Sequence, residues 1–299
     1  MESLTRGQRW IGKNGPSYYN STIEPIAVAG SQAAIMLLPK VITQALGKCG
    51  TIALPRVGYK EHQHAWQEFS VDGGSWRCIF YDDFPTQSDI DASDVVLVIN
   101  PNNPTGVDTA AESLVNLRDQ MNRKGGFLIL DEAFMDCTPE RSVLNKVQNL
   151  SSLVVLRSVG KFFGLAGVRT GFVFSSPNVL SKIAEYQGPW TVTGPSRFVV
   201  KTAMQDSVWQ SQTREKILQT GQRLERLLSD TLACQLSASS LFVTAYVDNA
   251  PRVHELLCRA KVLTRLCDEG NALRFGLPEH EWQWQQLELA LQQVYETNE

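Results

Sequence analysis

Short apolar runs, each bounded by turn formers, recur through the first two thirds of the chain and constrain its fold more than any other feature. They are VVLVIN (95–100), FLILDEAF (127–134), LVVLRS (153–158) and GFVFSS (171–176). Such runs are too short for helices, and their unbroken apolar character suits strands buried on both faces. Segments of helical period lie between several of them. AAESLVNLRDQMNRK (110–124) is one, and it ends at Gly125-Gly126. Upstream, IAVAGSQAAIMLLPKVI reads as a strand, a Gly-Ser turn and an apolar helix, and TIALPRVGY (51–59) as a strand ending in a loop. Alternating strands and helices predict an α/β domain with a large, mostly parallel sheet. In open sheets of this kind ligands bind at the carboxyl ends of the strands.

After about residue 205 the texture changes. VWQSQTREKILQTGQRLERLLSDTLA has the pattern of a long amphipathic helix. LFVTAYVDNA and ALRFGL read as strands with the helix PRVHELLCRAKVL between them, and EHEWQWQQLELALQQVYE closes as another helix. The expected organisation is an N-terminal arm (1–20), a large α/β domain (21–204) and a smaller C-terminal α+β domain (205–299). The 299 residues suffice for both.

Bulk properties exclude several classes of function. Apolar residues make up 43% and charged residues 20%, as in an ordinary globular protein. A net charge of -3 gives no reason to expect nucleic acid or an anionic membrane as partner. No apolar run has the length of a membrane span, and MESLTRGQRWIGKNGPS lacks the apolar stretch of a signal peptide, so a cytoplasmic location is expected. The six cysteines form no C-x-x-C pair and no cluster with zinc spacing, which predicts free buried thiols and no metal. His62 and His64 are close enough in sequence to suggest a ligand pair, but a surface or partly buried structural role is the expectation.

Four loops after predicted strands carry the chemistry: GSQ (30–32), NPNNPTG (100–106), DEAF (131–134) and SVGKFFGLAGVRTGF (158–172). Lys161 lies in a glycine-flanked segment after an apolar strand. A lysine amine can form a Schiff base with an aldehyde and later move protons; the alternative is a solvated surface lysine. Gly30, Ser31 and Gln32 precede a helix, whose N-terminal N–H groups can hold a phosphate or be capped in the ordinary way. Asp131 follows four apolar residues, where a carboxylate is costly to bury without a partner. Asn102 and Pro104 to Gly106 have the composition of a turn.

Together these loops resemble the active site of fold-type-I pyridoxal-5′-phosphate (PLP) enzymes, the aspartate aminotransferase superfamily, over residues 26–276. The resemblance implies that Lys161 carries PLP and is the catalytic residue. It implies that Arg169, Ser158 and the backbone of Gly30, Ser31 and Gln32 hold the phosphate, a dianion suited to a fixed guanidinium. Asp131 is implied to pair with the protonated pyridine nitrogen, which keeps the ring an electron sink. Asn103 matches the asparagine that bonds the phenolic oxygen of the ring, and Tyr59 the aromatic residue that stacks on it, with a core tyrosine as the alternative. Arg274, in ALRFGLP, matches the arginine that grips the substrate α-carboxylate; Asn103 is implied to line the substrate with it.

Within the superfamily, PIAVAGSQAAI, PRVGYKEHQHAW, LDEAFMD, LRSVGKFFGLAGVRTGF and GPWTVTGPSR are most similar to the threonine-phosphate decarboxylases of cobalamin biosynthesis. Histidinol-phosphate aminotransferases are near relatives. Phe134 stands where many aminotransferases have a tyrosine, as in the decarboxylase-like group, and Y-K-E-H-Q-H-A-W replaces Y-G-E-Y-x-x-A-W. The implied reaction is decarboxylation of L-threonine O-3-phosphate to aminopropanol phosphate. An aminotransferase and a non-catalytic PLP-fold binding protein stay open. Relatives carry an Asn-Pro segment before the equivalent of Tyr18-Tyr19 that is not recognisable here, so contacts to the substrate phosphate are expected to be missing or supplied differently. The resemblance also implies a homodimer, in which Tyr18 or Tyr19 either reaches a neighbour's cofactor phosphate or simply packs.

Overall fold

The computed structural model describes Tyr18, Tyr19, Ser21 and residues 24–298, the last four of these by backbone alone. The chain divides into two compact units. One comprises the residues up to Pro101 together with Thr109–Ser207, and the other Asn102–Asp108 with Val208–Glu299.

The first unit is built on a seven-stranded sheet. In chain order its elements are β1 (Ile26–Val28), α1 (Ser31–Leu46), β2 (Thr51–Pro55), α2 (Lys60–Glu68), a small hairpin of β3 (Ser70–Val71) and β4 (Gly74–Ser75), β5 (Arg77–Tyr81), α3 (Gln87–Ala92), β6 (Val95–Ile99), α4 (Ala111–Arg123), β7 (Phe127–Asp131), β8 (Leu153–Ser158), β9 (Gly171–Phe174), α5 (Pro177–Gln187) and α6 (Gly194–Gln205). The strand order is β1-β9-β8-β7-β6-β2-β5. β5, β2, β6, β7 and β8 run parallel, and β9 alone runs against its two neighbours. The mostly parallel sheet expected from the apolar runs is therefore present. β6 and β8 are buried along their whole length, as strands covered on both faces must be. The core joins Ile35, Leu38 and Ile42 of α1 to Leu97, Ile129, Val154 and Val173 of the sheet and to Trp66 of α2. On α2 the buried residues are His62, Ala65 and Trp66. Their i, i+3, i+4 spacing is one helix face, so His62 points inward rather than taking the surface or partly buried role expected for it.

The second unit has an antiparallel sheet of β10 (Gln235–Ser239), β11 (Phe242–Tyr246), β12 (Arg265–Leu266) and β13 (Ala272–Gly276), ordered β10-β11-β13-β12. Its helices are α7 (Ser207–Leu232), α8 (Ala250–Arg259) and α9 (Glu281–Asn298). Leu224 and Leu228 of α7, Val253 and Leu257 of α8, and Trp284, Leu287 and Leu291 of α9 close over Val243, Leu273 and Phe275. No helix among the described residues is long and apolar enough to cross a membrane. All six cysteines are free thiols, but only Cys137 and Cys267 are buried as expected; Cys49, Cys78 and Cys234 are half-buried and Cys258 is exposed. No cluster of metal-ligating side chains occurs among the described residues.

Candidate active site

At the amino end of α1, Gly30 has φ 78° and no side chain caps the first turn. A Cβ on Gly30 would lie 2.7 Å from Nη2 of Arg169. The close approach is possible only because glycine has no side chain, and the positive φ is one glycine adopts without strain. A guanidinium thus rests on a helix N-terminus, and two positive features converge. Gly171 brings the adjoining strand just as close, since a Cβ there would lie 2.8 Å from both Ser31 N and Arg157 O. Ser158 faces Gly171 in the β8–β9 register, and its hydroxyl accepts from the Gly160 N–H at 3.3 Å. Gly30, Ser31, Ser158 and Arg169 are therefore gathered at one corner of the sheet, with the geometry of a phosphate cradle. The side chain of Gln32 is engaged elsewhere: its amide donates to Glu61 Oε2 at 2.6 Å and its carbonyl accepts from the Tyr59 hydroxyl at 3.4 Å.

Asp131 ends β7 and is 4% exposed, and His62 is 1% exposed. His62 Nε2 lies 2.8 Å from Asp131 Oδ2, and the Ala133 N–H donates to Oδ1 at 3.0 Å. The carboxylate that looked costly to bury is thus anchored at both oxygens. His62 Nδ1 has no hydrogen-bond partner among the described residues, so Nε2 is the ring nitrogen that serves Asp131, and it donates to the carboxylate. Tyr59 is 41% exposed, so it is not a core residue. Its ring stands edge-on to His62 with centroids 6.2 Å apart. Burial raises the pKa of its phenol, with Glu61 and Asp131 adding to the rise and Arg169 opposing it. The aromatic face, the buried carboxylate and the guanidinium thus share one neighbourhood. His62 is the residue that the sequence reading missed, and its only signal was the histidine of Y-K-E-H.

Lys161 is exposed at the tip of a turn whose flanks, Phe162 and Phe163, are 4% and 6% exposed. Its Nζ stands 5.1 Å from the centroid of the Phe134 ring, within cation–π range. Tyr19 does not fit the neighbour-reaching role considered for it. It is 4% exposed and packs edge-on against Phe172 and Phe174 of its own chain, at 5.7 and 5.3 Å.

Asn103 and Arg274 belong to the second unit, where Arg274 Nη1 donates to Asn103 Oδ1. The turn predicted around Asn103 is closed by Gly106 N–H to Asn102 O and by Asn102 N–H to Val107 O, both 2.7 Å. It is fastened to β11 by the Thr244 hydroxyl, which donates to Pro104 O at 2.5 Å. Burial, with Arg265 nearby, lowers the pKa of the Arg274 guanidinium from the ordinary arginine range, against a smaller opposing effect of Cys267. Among the described residues no carboxylate pairs with Arg274, and its Cζ stands 5.1 Å from the Phe242 ring centroid. It is a half-buried cation suited to an anionic ligand.

The residues of the first unit fit PLP. A cradle at Gly30 and Arg169 matches its phosphate, a buried and anchored carboxylate matches its pyridine nitrogen, and an exposed lysine matches its aldehyde. Comparison with known proteins agrees. A threonine-phosphate decarboxylase of Pseudomonas aeruginosa is 41% identical over 266 residues, 89% of this chain and 77% of that protein. A second, from Sinorhizobium sp., is 33% identical over 87% of this chain and 74% of that protein. The crystal structure of a histidinol-phosphate aminotransferase from Clostridium acetobutylicum has the same fold, with a TM-score of 0.84 at 21% identity over 97% of this chain and 89% of that one. The sequence matches the family of aminotransferases of class I and II over residues 17–279, and the chain is a member of that PLP-dependent family.

Proposed function

We propose that the protein is a PLP-dependent carboxy-lyase that removes the α-carboxylate of L-threonine O-3-phosphate and releases aminopropanol phosphate for the cobalamin nucleotide loop. The observation that carries this reading is the likeness to two threonine-phosphate decarboxylases over most of the chain and of both relatives. PLP, when bound, supplies an aldehyde for amines and a ring that accepts the electron pair left at Cα. Lys161 would be the amine that holds the aldehyde, and it would deliver to Cα the proton that replaces the departed carboxylate. Asp131, fixed by His62 and the Ala133 N–H, would pair with the pyridine nitrogen. Arg169, Ser158 and the backbone of Gly30, Ser31 and Gln32 hold the phosphate, and Tyr59 offers its ring face. Asn103 serves the phenolic oxygen and, with Arg274, the substrate.

The same reading makes 21–204 the cofactor-binding domain and 205–299 the small domain of a cytoplasmic homodimer. Trp190 and Phe198, 90% and 72% exposed, are large apolar side chains of the kind a second copy would bury. The deciding experiment offers the PLP-loaded protein L-threonine O-3-phosphate and assays both products. Carbon dioxide with aminopropanol phosphate is the expected result. A keto acid formed with an amine acceptor would replace this reading with aminotransfer, and no turnover of any phosphorylated amino acid would leave a binding protein.

A further inference from the structure

Three buried charged side chains lie next to the site and have no part in the chemistry assigned above. Arg157, Glu132 and Asp136 are 1%, 0% and 0% exposed. Arg157 Nη1 donates to Glu132 Oε2 at 2.7 Å and to Ser142 Oγ at 3.1 Å, and Nη2 donates to Asp136 Oδ1. Glu132 is held further by the Ser142 hydroxyl at 2.5 Å and the Val143 N–H at 2.9 Å. Burial alone would discourage the charge on Arg157, but Asp136 and Glu132 outweigh it and raise the guanidinium pKa. Buried ion networks contribute little net stability compared with apolar packing, so the persistence of this one calls for another reason.

The geometry supplies one. The Arg157 Cζ stands 4.6 Å from the centroid of the Tyr19 ring. Tyr19 meets Tyr18 edge-on at 4.8 Å, Tyr18 meets Phe163 at 5.4 Å, and Phe163 meets Phe162 at 5.0 Å. The series ends beside Lys161. Backbone bonds that close the Lys161 turn include Gly164 N–H to Lys161 O at 3.0 Å and Leu165 N–H to Val159 O at 3.2 Å. Edge-to-face aromatic pairs and a cation over a ring are directional contacts, so they fix the orientation of the turn as well as its depth. The Tyr19 hydroxyl lies beside the Arg157 guanidinium, which favours its ionised form against burial, but it meets no partner among the described residues at full hydrogen-bond geometry; what the series uses is the ring.

We infer that Arg157 and Tyr19, acting through Tyr18 and Phe163, are positioning residues for the Lys161 turn. Its catalytic consequence rests on the reading of Lys161 as the cofactor lysine, whereas the contacts themselves do not. The test uses the full-length apo-protein and its Tyr19→Phe, Tyr19→Leu and Tyr18→Leu variants. Amide hydrogen exchange across 159–165 is compared with that of β6 and β7, and PLP affinity is measured by absorbance titration. Tyr19→Phe keeps the ring and should match the wild type. The two leucine variants should raise exchange at 159–165 and the PLP dissociation constant roughly two- to tenfold, the scale of a lost aromatic pair, with KM for the amino acid unchanged. Tyr18 is only partly buried, so its variant decides the matter if Tyr19→Leu does not fold. Unchanged exchange at 159–165, or a rise shared equally by β6 and β7, would overturn the inference. Borohydride reduction of the PLP-treated wild type keeps the two ideas apart. Absence of an adduct on Lys161 would remove the cofactor reading, while the exchange pattern would still decide the positioning role.

Discussion

Replacing Asp131 by asparagine preserves size and shape, so its effect isolates charge and donor pattern. Among the described residues the Asp131 carboxylate accepts from the Ala133 N–H at 3.0 Å and from His62 Nε2 at 2.8 Å. An amide can keep one acceptor oxygen, but it must then present an NH2 group to the other donor. If the amide nitrogen faces His62, the imidazole has to move its proton to Nδ1, which is buried with no hydrogen-bond partner among the described residues. If the amide turns over, its nitrogen faces the Ala133 N–H instead. Either arrangement leaves one buried polar group unsatisfied, a cost of ~1–3 kcal/mol to the apo-protein. A second, separate loss appears with the cofactor, because a charge-assisted hydrogen bond of ~1.5–3 kcal/mol is removed, equivalent to a roughly ten- to hundredfold weaker PLP dissociation constant. Urea unfolding of the apo-protein reads the first quantity and absorbance titration the second. A His62→Phe background supplies the control. With the imidazole gone, Asp131→Asn should cost the apo-protein less, by a coupling of about 0.5–3 kcal/mol. Strict additivity, or an Asp131→Asn apo-protein as stable as the wild type, would refute the anchoring of Asp131 by His62.

Other consequences follow from close contacts. Gly30→Ala places a methyl group 2.7 Å from Arg169 Nη2 at a positive φ, so the guanidinium must move, and PLP affinity should fall roughly tenfold or more, the scale of one charged hydrogen bond; an unchanged titration would remove Arg169 from the phosphate cradle. Gly171→Ala meets backbone on two sides at 2.8 Å and should cost ~1–3 kcal/mol of overpacking in urea unfolding, whereas wild-type stability would mean that β9 can shift away from α1. The Asp94 carboxyl has its pKa held down: burial opposes the charge, but the Thr51 N–H at 2.8 Å and Lys48 at 3.1 Å prevail. A carboxyl depressed in the folded state stabilises the protein above its unfolded value of about 3.9, and that contribution is lost as pH falls through the folded value. Asp94→Asn should therefore flatten the acid side of a stability–pH curve, and identical curves would show that Asp94 does not contribute to it.

The features that the sequence made legible are those whose cause is local. β6, β7 and β8 are covered on both faces, so their apolar runs are unbroken and could be read directly. β5 pairs on one side only and is largely half-exposed, and β10 mixes exposed and half-buried positions, so neither forms a run that stands out from a loop. Likewise nothing in NPNNPTG signals that residues 102–108 group with a sheet more than 130 residues later, since the Thr244 bond to Pro104 spans 140 positions. His62 and Asp131 are the instructive pair. On its own, each was an anomaly of the kind that local pattern cannot resolve, a carboxylate closing a buried strand and a histidine on the inner face of α2 beside Ala65 and Trp66. Each is the other's solution across 69 positions. The same holds for Arg157 inside LVVLRS and for Glu132 and Asp136 inside DEAFMD, where one buried cation meets two buried anions 25 and 21 positions away. Burying any of these groups alone would cost several kcal/mol. A charged or titratable residue inside a buried run therefore requires a complementary one elsewhere in the chain, and in this protein both sets of complements meet at the carboxyl ends of β7 and β8, where Asp131 closes its strand and the Lys161 turn begins.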